Sequence, residues 1–255
     1  MKDAFVRALI VVVSLTLALV AGVFSVAQAG TANTPHYPDL VTQTPTGVRI
    51  TTDKATGKKL LKFSNTIANL GTGRFELRPQ NDAGSGITTA YQRVWTHDAV
   101  GDWSLDSEIP VGTFEFHGAH NHWHFGGFAK YELRNVAPGG GIGRRVVASS
   151  DKVSFCMVDT LAANLALEHA PSTRIYQSCS LNPPPNLNIQ GISVGWSDVY
   201  GYSLAGQSID ITRVQSGTYW LVSTADPNNV IVETNDSNNA GAVLVTIRSS
   251  WKPKP

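Results

Sequence analysis

The last third of the chain consists of short β-rich runs separated by turn-forming residues, and this pattern restricts the fold more than any other feature. The runs are SIDITRV, TYWLVSTA, NVIVETN and AVLVTIR, and the segments QSG, DPNN and DSNNAG lie between them. β-Branched and aromatic residues favour strands, whereas Gly, Pro, Asn and Asp favour tight turns. The pattern predicts antiparallel hairpins in a β-sandwich.

The rest of the chain is also interrupted by turn-forming residues, which predicts an all-β domain with long loops and little helix. KKLLKFSNTIANLG and RFELRP are predicted as an early strand pair, and FAKYEL shows a loose strand alternation. Residues 81–107 are rich in Gly, Asp, Thr and Ser, which predicts a long excursion across the sheet surface. TLAANLALEHAP predicts two helical turns, and NPPPN an extended or turning segment.

The N-terminal segment has the composition of a secretory signal peptide. A Lys and an Arg precede an apolar run from Ala8 to Val26, and Ala27-Gln28-Ala29 closes the segment. This order predicts cleavage after Ala29, with 1–29 as signal peptide and 30–255 as one secreted, extracellular domain. A membrane anchor is the alternative, since the run is long for a signal core. No later stretch is apolar enough to span a bilayer, so no stable membrane insertion is expected after cleavage.

The charge balance argues against a nucleic-acid partner. The chain has 20 basic and 19 acidic residues, and no basic stripe occurs outside the WKPKP tail. Binding to a phosphate backbone requires a concentrated positive surface, which this sequence lacks.

The chain contains two cysteines, Cys156 and Cys179. In an exported protein they are expected to form a disulfide, and closing that loop contributes about 3 kcal/mol in the chain-entropy model. Two thiolate ligands for copper or zinc are the alternative.

Four of the seven histidines fall in the segment HGAHNHWH, at His117, His120, His122 and His124. Alternate side chains share one face of a strand, so the last three are expected to point the same way. His117 has the opposite parity and is expected to support the ligands or to be structural. Three neutral imidazoles suit Cu(II) or Zn(II) and leave coordination positions open for chemistry.

FEFHGAHNHWHF followed by AKYEL is similar to the copper-binding segment of lysyl oxidases, W-x-W-H-x-x-H-x-H-x-H followed by a YxL-type strand. Further motifs continue the resemblance in order: PDLV, LLKFSNTIANLGTGRFELRP, KVSFCMVDT, GWSDVYGYSLAGQSIDIT and VETNDSNNA. The chain thus resembles a bacterial-type secreted member of the lysyl oxidase family, and the similarity covers nearly all of residues 30–255.

The resemblance implies a copper amine oxidase built on a β-sandwich. It implies copper ligands at His120, His122 and His124. It also implies a lysine tyrosylquinone cofactor made from Lys152 and Tyr200. A lysine on a buried strand would be kept neutral by desolvation, as addition to a quinone requires. Taken alone, Lys152 would be a surface cation at a strand end and Tyr200 a loop aromatic.

Asp198 lies two residues before Tyr200 and shares its face if the segment is extended. It is therefore the candidate for the base that removes a substrate proton. A solvated loop carboxylate is the alternative.

The resemblance also implies a calcium site, because hard oxygen ligands gather in ETNDSNN and PDL. The expected ligands are Asp39, the Leu40 carbonyl, Glu233, Asn238 and Asn239. A polar hairpin turn without a metal is the alternative for this segment.

The implied reaction converts a primary amine or a lysine-containing protein, with dioxygen, to an aldehyde, ammonia and hydrogen peroxide. The chain departs from the animal pattern, because Ala119 stands where those proteins have a Cys, and most of their other cysteines are absent. No scavenger-receptor modules or long propeptide are expected before the domain. Two alternatives remain: a non-catalytic copper-binding β-sandwich at the cell surface, and a zinc or copper hydrolase.

Overall fold

A computed structural model of the protein describes residues 34–82, 84–98, 101–118, 122–152, 154–179 and 189–248. The chain divides into the units 1–32 and 33–255, and all described residues belong to the second. The predicted signal peptide and the NPPPN segment lie outside the described residues.

The described residues are arranged almost entirely as strands and loops, and the predicted all-β antiparallel class is confirmed. Helical structure among them consists of one 3-10 turn, Asp236–Asn238. The strands are β1 (Pro35–His36), β2 (Leu40–Thr42), β3 (Thr46–Thr52), β4 (Lys59–Asn69), β5 (Phe75–Asn81), β6 (Thr88–His97), β7 (Trp103–His117), β8 (His122–Gly126), β9 (Ala129–Val136), β10 (Ile142–Ser149), β11 (Ser154–Phe155), β12 (Leu161–Ala162), β13 (Gln190–Ile192), β14 (Trp196–Tyr200), β15 (Ser208–Asp210), β16 (Gly217–Ala225) and β17 (Ala240–Ile247). No helix within the described part is long and apolar enough to cross a membrane.

The strands form three antiparallel sheets. The first has the order β11-β8-β7-β6-β5-β13, with β1 paired to β6, and the second has the order β10-β9-β16-β17. The third has the order β12-β14-β4-β15, with β2 and β3 also paired to β4. β8 and β11 of the first sheet and β14 of the third contribute most of the candidate site described below.

One hydrophobic core joins the three sheets. Phe63 of β4 meets Tyr131 of β9 edge-on, with ring centroids 4.9 Å apart. Tyr131 in turn contacts Phe155 of β11 at 5.9 Å, and Phe155 contacts Tyr200 of β14 at 4.8 Å. Complete burial of one such side chain contributes about 1.5–3 kcal/mol. The candidate site therefore rests directly on the core.

Two expectations for the first half of the chain are wrong. β4 and β5 are both strands, but they do not pair with each other: β4 lies in the third sheet, whereas β5 pairs with β6 and β13. Residues 81–107 are not a surface excursion, because most of them belong to the β6–β7 hairpin. Alternate residues of β6 are buried, as expected for a strand with one face on the core. The polar composition of the segment did not indicate this alternation.

Two expectations for the second half are also wrong. The run NVIVETN is a loop rather than a strand, and β16 pairs directly with β17. The Asp226 carboxylate accepts hydrogen bonds from the amides of Val230 and Ile231, which holds that loop in place. TLAANLALEHAP forms the short β12 and turns instead of two helical turns. Its main chain bonds to Gly195 and Ser197 rather than along a helix.

The three histidines outside the HGAHNHWH segment form a second cluster. The rings of His36, His97 and His169 lie 4.4 to 6.2 Å apart, beside Trp103. Burial, and next the neighbouring His97, lower the pKa of His169. No local pattern predicts this cluster, because its members come from β1, β6 and the turn that precedes Pro171.

Candidate active site

The β7–β8 hairpin carries the histidine-rich segment. His122 and His124 lie at alternate positions of β8, and their Nε2 atoms are 2.8 Å apart. His124 is buried, with 2% of its surface exposed. The Nε2 atoms of two of the three expected ligands are therefore within hydrogen-bond distance of each other. The third, His120, lies outside the described residues.

His117 was expected to support the ligands or to be structural, and the structure places it beside His124. His117 ends β7 and lies directly opposite His122 in the antiparallel register. Its ring stacks on that of His124, with centroids 4.1 Å apart. β7 ends at His117 and β8 begins at His122, so the two histidines do not belong to one continuous strand. Residues opposite each other in neighbouring strands point to the same face.

Lys152 lies close to Tyr200. The Lys152 Nζ is 5.4 Å from the centroid of the Tyr200 ring and 5.0 Å from that of Phe155. Burial lowers the pKa of Lys152, an effect that the carboxyl of Asp198 opposes. Gly206, with φ +72°, passes over the lysine stem, and a Cβ there would stand 3.4 Å from Lys152 Cδ. The strand β11 begins after Lys152, so burial of the amine comes from this overlying loop as well as from the sheet.

The main chain of one residue holds the Tyr200 hydroxyl. The hydroxyl donates to the carbonyl oxygen of Cys156 at 2.5 Å and accepts from the Cys156 amide at 2.9 Å. Tyr200 ends β14, which pairs with the long central strand β4. Burial, and next the nearby Asp198, raise the pKa of the phenol well above its ordinary value. Tyr200 is therefore part of a strand that supports the site and not a loop aromatic.

Asp198 is a buried strand residue, and the alternative of a solvated loop carboxylate is wrong. It is 3% exposed, and its Oδ1 accepts a hydrogen bond of 3.1 Å from the Thr160 hydroxyl. Its Oδ2 is buried without a hydrogen-bond partner among the described residues. Burial raises the pKa of this carboxyl well above its ordinary value. Asp198 and Tyr200 occupy alternate positions of β14 and line the same cavity, as the extended conformation predicts.

A cavity of about 460 Å³ brings these groups together. His122, His124, Lys152, Asp198 and Tyr200 contribute to its wall. The remaining lining residues are mostly apolar or small: Cys156, Val158, Thr160, Cys179, Val199, Leu204 and Ala205. A basic amine, a buried carboxyl, a phenol and two imidazoles in one largely apolar cavity form a candidate active site.

The predicted disulfide is confirmed. Cys156 and Cys179 are bonded, with Cα atoms 6.1 Å apart, so in this structure the two sulfurs are not separate thiolate ligands. Because Cys156 also binds the Tyr200 hydroxyl, the bridge lies in the wall of the candidate site.

The residues expected to bind calcium come together at the start of β2. The Leu40 amide donates to the Glu233 carboxylate at 2.7 Å, and the Asn239 amide donates to its other oxygen at 2.6 Å. The Asn238 amide donates to Asp39 at 2.8 Å. The side-chain oxygens of Asn238 and Asn239 are buried without hydrogen-bond partners among the described residues. Burial raises the pKa of Glu233 to about 7.

The sequence reasoning missed two side chains that support the site. The Thr160 hydroxyl binds Asp198, and the Ser154 hydroxyl lies between two histidines. Both residues belong to KVSFCMVDT, a segment already notable for its resemblance to lysyl oxidases. Nothing in that segment alone singles out either hydroxyl, because both depend on contacts with distant strands.

Comparisons with known proteins identify the family of the chain. The family model for lysyl oxidase matches residues 90–250, and the chain belongs to the lysyl oxidase family. It is 31% identical to lysyl oxidase homolog 1 of Homo sapiens over 131 residues, which are 51% of this chain and 20% of that protein. It is 31% identical to protein-lysine 6-oxidase of Rattus norvegicus over 131 residues, 51% of this chain and 28% of the relative.

A longer match extends over more of the chain. The identity to lysyl oxidase homolog 3 of Homo sapiens is 30% over 184 residues, 72% of this chain and 18% of that protein. The chain therefore matches less than a third of the length of each of these relatives.

Proposed function

We propose that this protein is a secreted, copper-dependent amine oxidase whose quinone cofactor is made from Lys152 and Tyr200. The observation that carries the proposal is the 5.4 Å separation between the Lys152 Nζ and the Tyr200 ring, within a cavity that His122 and His124 also line. Membership of the lysyl oxidase family supports it.

The histidines fit a copper ion. The Nε2 atoms of His122 and His124 are close enough for both to bind one metal ion. No group of three metal-binding side chains occurs among the described residues, and the third proposed ligand, His120, lies outside them. An all-imidazole set is well suited to Cu(II).

Lys152 and Tyr200 fit their proposed role as cofactor precursors. An amine must be neutral to add to a quinone ring, and burial lowers the pKa of Lys152 in the required direction. The two bonds from Cys156 fix the phenol oxygen and so orient the ring toward the lysine. Copper and the mature quinone would supply the oxidising chemistry and a carbonyl electrophile for amines.

Asp198 is proposed as the base that removes a proton from the carbon bearing the substrate amine. Its buried Oδ2 is available to accept a proton, since it has no partner among the described residues. Burial raises the pKa of Asp198, which makes its carboxylate a stronger base than that of an exposed aspartate. The Thr160 hydroxyl orients the carboxyl through its other oxygen.

The proposed overall reaction converts a primary amine, dioxygen and water to an aldehyde, ammonia and hydrogen peroxide. The relatives named protein-lysine 6-oxidase suggest peptidyl lysine as one substrate class. The mostly apolar wall of the cavity suits the methylene chain of a lysine or of another alkyl amine. A non-catalytic copper-binding protein, or a hydrolase, has no need for a half-buried lysine beside a tyrosine.

Export is part of the proposal. The disulfide fits an oxidising compartment, and the predicted signal peptide would direct the chain there.

The proposal is tested by peptide mapping of protein made without copper, before and after copper and air are supplied. We expect a peptide joining the segments around Lys152 and Tyr200 only after copper is added, together with reaction toward phenylhydrazine. Zinc-loaded protein in air is the control, because zinc is redox-inactive and should give no cross-link. Unmodified Lys152 in fully copper-loaded, aerated protein would favour the non-catalytic copper-binding protein instead.

We also propose that calcium binds at Asp39, the Leu40 carbonyl, Glu233, Asn238 and Asn239. The two buried amide oxygens without hydrogen-bond partners among the described residues support this proposal, because oxygen-rich sites suit Ca(II).

Calcium is expected to raise the melting temperature of the protein. At about 100 times its dissociation constant it should stabilise by about 2.7 kcal/mol, which corresponds to roughly 5–10 °C. Glu233→Gln should remove most of this shift, because it removes one charge but keeps an acceptor for the Leu40 amide. Asp82→Asn, which removes an exposed carboxylate elsewhere, should keep the shift. An equal calcium response in parent and Glu233→Gln would contradict the assignment.

A further inference from the structure

The Ser154 hydroxyl lies between two histidine rings. β11 pairs with β8, and Ser154 is directly opposite Gly126. The side chain is buried, with the residue 8% exposed. Its Oγ is 3.4 Å from His124 Nδ1 and 3.3 Å from His117 Nε2.

The tautomer of His124 decides whether it can bind a metal through the nitrogen that faces His122. A neutral imidazole carries its proton on one nitrogen and offers a lone pair on the other. The His124 Nε2 is the atom 2.8 Å from His122 Nε2, so a metal between the two requires the proton on Nδ1. Ser154 Oγ is positioned to accept that proton, at 3.4 Å from Nδ1.

A hydroxyl both accepts and donates, so Ser154 can satisfy both rings at once. If it accepts from His124 Nδ1, its own proton is directed to His117 Nε2. That nitrogen is then an acceptor and is occupied by the hydroxyl. The stacking of the His117 and His124 rings keeps the three groups in this order.

We propose that Ser154 is a positioning residue that fixes the Nδ1–H tautomer of His124 and ties it to His117. The inference rests on the proposed role of His124 as a metal ligand. It also gives the segment around β11 two roles, because Lys152 lies two residues before Ser154. The segment that carries the cofactor lysine thus also orients a metal-binding histidine.

The test starts from copper-free protein that lacks residues 1–29. Its dissociation constant for Cu(II) is measured by competition with a chelator. Loss of a hydrogen-bond partner to a metal-bound histidine typically weakens affinity by about 10–100-fold, and we expect this for Ser154→Ala. Ser154→Thr keeps a hydroxyl at a strand position and should restore affinity to near the parent value. Ser223→Ala is the matched control, since it removes a buried strand hydroxyl that binds Asn65 instead of a histidine.

A second readout begins with the parent protein, where it does not depend on the folding of a variant. Nitrogen NMR of zinc-loaded protein should show the His124 proton on Nδ1 and the metal on Nε2. In Ser154→Ala the Nδ1–H signal should lose its protection from exchange with solvent.

The outcomes separate this inference from the proposed function. Parent affinity in Ser154→Ala, or zinc bound through Nδ1 of His124, would overturn the role of Ser154 even if amine oxidation persists. Retention of copper by a His122→Ala, His124→Ala double variant would instead contradict the proposed metal site itself.

Discussion

Tyr200→Phe is expected to abolish amine oxidation. Phenylalanine lacks the phenol oxygen from which a quinone is made, so the variant should also lack the cross-link to Lys152. A cofactor carries the difficult chemistry in enzymes of this kind, and its loss should lower the rate by a factor of about 10⁶ or more, to the level of the blank. Peroxide release with a primary amine measures this.

Tyr202→Phe is the matched control for this loss. Tyr202 lies two residues further along the chain, with its ring under the Arg49 guanidinium at 3.5 Å, and it does not line the cavity. Its variant should keep both the cross-link and the rate. Copper content should be equal in both variants, because neither tyrosine is a proposed ligand. Oxidation at the parent rate by Tyr200→Phe would rule out the mechanism.

Asp198→Asn is expected to lower the amine oxidation rate by about 10²–10⁴-fold, the usual contribution of a positioned base. Rates should be divided by the amount of cofactor that reacts with phenylhydrazine, which separates catalysis from cofactor formation. In the parent the rate should fall as the pH decreases through the pKa of Asp198, since only the carboxylate accepts a proton. Burial raises that pKa, so the fall should begin at a higher pH than for an exposed aspartate.

Asp151→Asn is the control, because it removes an exposed carboxylate that lines a second cavity together with Lys152. Its rate should stay near that of the parent. An Asp198→Asn variant with the parent rate per cofactor and the parent pH profile would show that another group removes the proton.

Local patterns in the sequence predicted the strand class well, but not the strand partners. β16 and β17 have the residues that favour strands, and their turn-rich surroundings indicated antiparallel pairing. The sheet membership of β4 depends on contacts with β14 and β15, which come more than a hundred residues later. Such pairings are set by tertiary packing, which a window of neighbouring residues does not report.

The residues of the site could be predicted where the spacing of neighbouring residues or a family motif indicated them. The alternation of His122 and His124 predicted a shared face, and the resemblance to lysyl oxidases singled out Lys152 and Tyr200. The spacing alone did not place His117 beside His124, because the strand boundary before His122 is not visible in the sequence. The burial of Asp198 depends on the pairing of β14 with β4, and no pattern around it indicated this.

The two bonds to the Tyr200 hydroxyl have a consequence for how freely the sequence can vary around it. Both come from the main chain of Cys156, so substitution of the Cys156 side chain leaves the donor and the acceptor in place. Cys156→Ser would remove the disulfide to Cys179 but keep the two main-chain hydrogen bonds to the Tyr200 hydroxyl. Substitutions of neighbouring side chains therefore leave both hydrogen bonds to the Tyr200 hydroxyl in place. A shift of the backbone at position 156 is the change that would displace the Tyr200 ring.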